Sequence, residues 1–350
     1  MTWVTYLRRT IAIIICILLI GTTFLSVQAE NSFLKRKSYD FQKEKASTVF
    51  NSKNTKLKFM LAGNALRCIR SYWLHVPSGY DGSEPVPLVF VLHGSAKLYF
   101  PYWFHFLRGS WIEEYTNFSS KSDEEGFIVI YPNSKFIFCS GNFAYNHEIG
   151  DNFCYSLIDD MGFMRKLIDK MEKNYNINSS RIYVTGLSGG AIMSYSIGSH
   201  LSDKVAAIAP VAGTIGGDLR GGGEFSHIKA PEKPVPAIIF HGTDDRNLPY
   251  NGSAYSISVN ESVSFWVNHT GCNPEPEINI SKSEKIIKRT YTNNCNNMEV
   301  ALYTTVGGGH WWPGSDTNFG SEVFNDTIQE IDANDLIWEF FEKHPKQEYI

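Results

Sequence analysis

Gly186-Leu187-Ser188-Gly189-Gly190 is the stretch of this 350-residue chain whose chemistry is most legible. A serine hydroxyl is a weak nucleophile until a base takes its proton and a rigid backbone presents it. Here an apolar run, Arg181–Thr185, leads directly into the serine, and a helix pattern beginning near Gly190 leads directly out. A strand–turn–helix junction of this kind holds the serine in a strained conformation with its hydroxyl exposed. Flanking glycines remove the side chains that would collide as strand and helix close up. The helix start adds positive partial charge where an oxyanion would develop. The pattern alone arises by chance roughly 0.2 times in a chain of this composition, so its context carries the reading. That reading is acyl transfer through a covalent serine intermediate.

A nucleophilic serine needs a base, and the base needs a group to orient it. The apolar run Ala237–Phe240 ends in His241-Gly242-Thr243-Asp244-Asp245-Arg246, and the run Val300–Thr304 is followed by Gly307-Gly308-Gly309-His310-Trp311-Trp312. His310, among glycines at a strand end, reads as the base. Of Asp244 and Asp245, one would point at the histidine and the other would cap the turn; residue chemistry alone leaves that choice open. His241 reads as part of the strand exit. For the oxyanion hole, Gly189 offers the N–H after the nucleophile, and the loop Leu92-His93-Gly94-Ser95 offers a second donor at Ser95 or Gly94. Trp311 and Trp312 are expected to wall the substrate cleft.

These residues must be positioned by a scaffold. Short apolar runs bounded by turn residues alternate with longer amphipathic stretches from about residue 58, which predicts α/β architecture. Strands are expected at Tyr72–Val76, Val86–Leu92, Phe127–Tyr131, Arg181–Thr185, Val205–Ala209, Ala237–Phe240 and Val300–Thr304. Helices are expected at Leu157–Tyr175, Gly190–Leu201, Ala254–Asn268 and Ala333–His344. Several strands are unbroken Val/Ile/Leu runs, as strands covered on both faces require. The expected domain is 58–345, a mostly parallel central sheet with helices on both faces, ending in a short tail, 346–350. With 43% hydrophobic and 19% charged residues and a net charge of −4, the chain excludes disordered and coiled-coil classes and lacks the basic stripe of a nucleic-acid binder.

The first 29 residues carry Arg8 and Arg9, an apolar run from Ile11 to Ile20 extended by Phe24 and Leu25, and Val27-Gln28-Ala29. That order predicts a cleaved export signal and a secreted or periplasmic protein with no stable membrane association; the alternative is an anchor through residues 11–25. Residues 30–57, polar and Lys-rich, read as a flexible leader. In an oxidising compartment Cys139 would pair with Cys154 and Cys272 with Cys295, each pair flanking an Asn-rich, loop-like stretch. No C-x-x-C pattern argues for zinc. Seven N-x-S/T sequons, at Asn117, Asn178, Asn251, Asn260, Asn268, Asn279 and Asn325, would carry glycan in a eukaryotic host.

Taken together, RSYWLHVPSGYDGSEPVPLVFVLHG (Arg70–Gly94), GFIVIYPN, DDMGFMRKLID, RIYVTGLSGGAIMSY, AAIAPVAGT, FHGTDDRNLPYNG and GGGHWWPG resemble the polyhydroxybutyrate depolymerase/feruloyl esterase group of α/β-hydrolases. The likeness runs from about Leu61 to Pro345, and several motifs in one order are far more specific than any alone. It implies an α/β-hydrolase fold and hydrolysis of carboxylic esters through an acyl-enzyme, with no metal or cofactor. By the same likeness Asp245 is the acid, beside Ser188 and His310. The substrate it implies is a polyester or oligomer, or a feruloyl or acetyl ester on polysaccharide. Gly94-Ser95-Ala96 replaces a Cys-containing turn common in that group, which leaves the oxyanion donor open. A serine peptidase of the same fold is the alternative, although no repeat here would build the propeller such peptidases carry. A non-catalytic binding protein is less consistent with a chain that keeps both serine and histidine.

Overall fold

The computed structural model describes residues 55–62, 69–97, 108–137, 142–144, 158–218, 225–293, 297–315 and 330–347. The signal segment, most of the leader, Cys68, Cys139, Cys154, Cys295 and Asn325 lie outside the described residues. The described residues fall in one compact unit, Asn54–Ala62 with Ile69–Ile350; a second unit, Met1–Lys53 with Gly63–Cys68, lies outside them.

A ten-stranded sheet organises the fold. Its strands are β1 (Thr55–Leu61), β2 (Ile69–His75), β3 (Val86–Leu92), β4 (Ile128–Pro132), β5 (Ile177–Leu187), β6 (Ala207–Val211), β7 (Ala237–Gly242), β8 (Glu277–Ile280), β9 (Ile286–Asn293) and β10 (Met298–Thr305). They lie in the order β1-β2-β4-β3-β5-β6-β7-β10-β9-β8. From β4 through β10 each neighbouring pair is parallel, while β1, β2, β9 and β8 add antiparallel edges. The parallel centre has both faces covered, which explains its unbroken apolar runs. Along β3, Leu88, Phe90 and Leu92 face one core, and Val89 and Val91 face the other.

Helices α1 (Arg108–Thr116), α2 (Phe118–Glu125), α3 (Asp160–Asn174), α4 (Gly189–His200), α5 (Val259–Thr270) and α6 (Ala333–Lys343) cover these faces. Phe163, Met164, Met193, Tyr195 and Trp266 from α3, α4 and α5 pack into the first core. Ile112, Tyr115, Phe118, Ile337 and Phe341 from α1, α2 and α6 pack into the second. The α/β-hydrolase architecture expected from the sequence is therefore present.

Local chemistry sets the ends. The Asp159 carboxylate accepts from Gly162 N at 2.6 Å and caps α3. At α5, Ser258 and Glu261 form a reciprocal capping box, and Gly271 closes the helix at φ 70°. That cap starts the helix at Val259, five residues inside the expected Ala254, because Ser253–Ser256 are spent on a turn closed by Ser253 N to Ser256 O at 2.9 Å. Strand β1 begins at Thr55, inside the stretch read as leader, and pairs antiparallel with β2 from Thr55 opposite His75.

Candidate active site

Strand β5 runs through Leu187 into Ser188, and α4 starts at Gly189. Ser188 sits at φ 59°, ψ −118°, a conformation that side chains other than glycine's adopt at a cost of about 1–3 kcal/mol. Its N–H donates to Val211 O at 2.9 Å, fixing the turn against the end of β6. The close approach of strand and helix demands Gly190: a Cβ there would collide with the backbone carbonyl of Leu92. The sharp turn read from the sequence is present, with its glycines used as expected.

The loop after β3 presses on the serine. A Cβ on Gly94 would lie 3.2 Å from Ser188 Cβ, and one on Gly189 would lie 2.9 Å from Ser95 N. The two stretches proposed as oxyanion donors therefore meet beside Ser188. His93 anchors that loop from within. It is fully buried, its Nδ1 lies 2.8 Å from Gly94 O, and its Nε2 accepts from Ser134 N at 3.0 Å. An imidazole accepting at Nε2 carries its hydrogen on Nδ1, which donates to Gly94 O. Burial holds this ring neutral, pushing its pKa down to about 3 against the opposing pull of the Gly94 carbonyl. The sequence placed His93 in the donor loop without a role of its own; the histidine before a glycine at a strand end was the signal for one.

At the end of β7, Asp245 is buried, and its Oδ1 accepts from Asn247 N and Leu248 N, each at 2.9 Å. Its Oδ2 lies 2.7 Å from His310 Nδ1. The carboxylate is the acceptor, so the hydrogen is on Nδ1 and Nε2 keeps its lone pair, the form a base requires. Burial alone would raise the Asp245 pKa, but hydrogen bonding and charge from His241 and His310 outweigh it and hold the carboxylate well below the usual range. Asp244 is exposed and accepts from Thr243 Oγ1 at 3.1 Å, with its N–H donating to Gly308 O at 2.8 Å. The geometry thus separates the two aspartates that residue chemistry left open. Thr243 N also donates to Thr305 O at 3.0 Å, so the loops after β7 and β10 are stitched together and bring His310 to Asp245. His310 is 14% exposed, Ser188 half-buried, and Ser188 and the His310–Asp245 pair follow the same ends of parallel strands. Among the described residues no hydrogen bond joins Ser188 Oγ to His310; such contacts commonly tighten only once substrate is bound.

Several expectations are corrected. Trp312 is core: 1% exposed, edge-on to Phe118, with Nε1 donating to Asn334 Oδ1 at 2.9 Å. Its indole N–H finds its partner at α6, so the ring turns away from the cleft. Trp311 is 7% exposed and folds its ring back over Gly309, so it too presents no open wall. Cys272 is a buried free thiol, beneath Thr270 Oγ1 at 3.3 Å and 3.5 Å from Met298 O. Its thiol faces the core, and Cys295, the partner expected for it, lies outside the described residues. The stretch between residues 272 and 295, expected to be a loop, holds β8 and all of β9. His241, read as strand exit, contacts Asp245 directly, with 3.2 Å between Nε2 and Oδ2.

Fold and elbow define an α/β-hydrolase. No family model matches the chain. It is 27% identical over 246 residues, 67% of its length, to feruloyl esterase B of Piromyces equi. It is also 26% identical over 272 residues, 68% of its length, to poly(3-hydroxyalkanoate) depolymerase C of Paucimonas lemoignei. The chain spans 41% and 58% of those two relatives. The acetyl xylan esterase from Aspergillus awamori shares the fold, with TM-score 0.55 at 14% identity, over 82% of this chain and 99% of that one. The chain is thus similar in sequence to feruloyl esterases and a poly(3-hydroxyalkanoate) depolymerase, on an α/β-hydrolase fold.

Proposed function

We propose that this chain is an exported carboxylic ester hydrolase that works through Ser188, His310 and Asp245. The observation that carries the reading is the strained serine at the β5–α4 turn, on the sheet edge where His310 is hydrogen-bonded to a buried carboxylate at 2.7 Å. The first half-reaction begins as His310 Nε2 takes the Ser188 proton and Oγ attacks the ester carbonyl carbon. The resulting oxyanion is met by the N–H of Gly189 and an N–H of the Gly94–Ser95 loop. The His310 imidazolium then protonates the leaving oxygen as the ester C–O bond breaks, the alcohol departs, and the acyl group stays on Oγ. In the second half-reaction His310 deprotonates a water that attacks the acyl carbon; the Oγ–acyl bond breaks, His310 returns the proton to Oγ, and the acid leaves. Asp245 keeps His310 in the Nδ1–H tautomer throughout and stabilises the imidazolium.

The relatives' names, feruloyl esterase and poly(3-hydroxyalkanoate) depolymerase, support two substrate classes: hydroxycinnamoyl or acetyl esters of polysaccharide, and hydroxyalkanoate polyesters or oligomers. A panel of p-nitrophenyl acetate and butyrate, methyl ferulate and a hydroxybutyrate oligomer, with a peptide anilide as control, tests activity and class together. Ester turnover that disappears in Ser188→Ala is the expected result. Anilide cleavage without ester turnover, or activity unchanged in Ser188→Ala, would overturn the reading.

A further inference from the structure

Asp245 faces two histidines. His241, the penultimate residue of β7, is buried, and its Nε2 lies 2.8 Å from Leu248 O and 3.2 Å from Asp245 Oδ2. Both neighbours are acceptors, so Nε2 carries a hydrogen; it is directed to the Leu248 carbonyl and stands against the carboxylate. Leu248 N in turn donates to Asp245 Oδ1 at 2.9 Å, so the imidazole and the carboxylate grip the same turn from both sides. Nδ1 of His241 is buried with no hydrogen-bond partner. A histidine kept for packing alone would be expected to satisfy both nitrogens. This ring instead leaves one nitrogen bare and commits the other to the turn that carries the acid.

We infer that His241 is a positioning residue for the acid and base of the reaction. Its Nε2–H locks the Asp245–Leu248 turn and shares the carboxylate oxygen that His310 uses. The inference rests on the reading of Ser188, His310 and Asp245 as a catalytic triad. Two consequences follow from the geometry. Holding the turn keeps Oδ2 in line with His310 Nδ1, and hence the base in line with Ser188; this acts on turnover more than on substrate binding. Placing a second N–H against Oδ2 draws off part of the negative charge that would otherwise hold the His310 imidazolium. Other groups that face this ring are few. Tyr250 stands edge-on at 5.9 Å, its hydroxyl 2.9 Å from Thr304 Oγ1. Thr304 of β10 sits opposite His241 in register, and Arg289 of β9 donates to its hydroxyl at 3.4 Å. The neighbouring strand β6 contributes Val211, opposite Phe240, and Asp244 and Arg246 are exposed on the turn.

The test compares His241→Leu, which removes the donor, with His241→Gln, whose amide N–H reaches the place of Nε2. Both are assayed on the preferred ester from pH 4 to 9, with Ser188→Ala alongside. For His241→Leu the expected result is a kcat lower by about 10- to 100-fold with KM nearly unchanged, as for loss of the hydrogen bond that fixes the turn carrying the acid, together with the polar contact on its carboxylate. The acid limb of its pH–rate profile should move to higher pH, because a carboxylate freed of one N–H holds the imidazolium more strongly. His241→Gln should recover most of kcat and the wild-type limb. A folded His241→Leu with wild-type kcat and profile would overturn the inference. So would Leu and Gln variants equally slowed with unmoved limbs, which describes a packing role. If His241→Leu does not fold, nitrogen NMR of the histidine-labelled wild-type protein decides: hydrogen on His241 Nε2 is expected, and a bare Nε2 would overturn it. A wild-type protein that cleaves no ester refutes the triad reading instead, and the NMR result still stands for His241.

Discussion

Acidification should destabilise this protein through His93, the ring that anchors the loop beside Ser188. His93 is sealed from solvent and committed at both nitrogens, to Gly94 O at 2.8 Å and Ser134 N at 3.0 Å. Burial pushes its pKa down to about 3, whereas an unfolded chain has an imidazole near 6.5. With the folded value the lower, the unfolded state binds the extra proton between those limits. Stability is therefore intact above about pH 6.5 and falls at about 1.4 kcal/mol per pH unit down to about pH 3. From pH 6.5 to 4.5 the loss comes to about 2.7 kcal/mol, a large share of the stability of an ordinary domain. Urea unfolding of wild type and His93→Gln at half-unit steps across that window measures it. Other groups, His344 among them since burial lowers it too, tilt both proteins alike. The difference in slope isolates His93. The variant should be less stable at pH 7 but lose stability more gently on acidification. Parallel slopes would refute the assignment of a buried neutral ring.

Three further outcomes follow from the geometry. Asp245→Asn should cut kcat by about 10³- to 10⁴-fold, the scale of losing the acid that orients a serine-triad histidine, while Asp244→Asn should stay within about threefold; steady-state kinetics on one ester decides, and the reverse order would remove the assignment. Gly190→Ala drives a methyl into the Leu92 carbonyl and should lower stability by about 3 kcal/mol or more in urea unfolding, with a wild-type midpoint as the contrary result. Trp312→Ala should cost about 3–5 kcal/mol and leave KM unchanged, whereas a raised KM at wild-type stability would return that residue to the cleft.

The central strands and the placing of Ser188 and His310 just beyond strand ends were legible in the sequence because each signal is local. Apolar runs mark strands covered on both faces, and glycines mark a turn that tolerates no Cβ. What was missed depends on partners far along the chain. Helices α1 and α2, Arg108–Glu125, have weak apolar periodicity and are held by packing of Ile112, Tyr115 and Phe118 against the sheet. Strands β8 and β9 read as loop because the sheet edge leaves Glu277–Ile280 exposed and polar residues abundant. Trp312 lies two residues after His310 and was read into the cleft; its direction is set by Asn334, 22 residues on. The choice between Asp244 and Asp245 turned on which side chain is buried against His310, a property of the folded turn. His241 was equally invisible as a partner, since nothing in His-Gly-Thr-Asp-Asp states that the chain folds back to place Leu248 O beside the ring.

The central claim is that Ser188 forms an acyl-enzyme. Rapid-quench reaction with p-nitrophenyl acetate, followed by mass analysis of the digested protein, tests it most directly. A burst of p-nitrophenol near one equivalent per enzyme is expected, with an acetyl group on the peptide containing Ser188 and neither signal in Ser188→Ala. Turnover without an adduct on that peptide, or an acetyl group on another residue whose loss abolishes activity, would contradict the account.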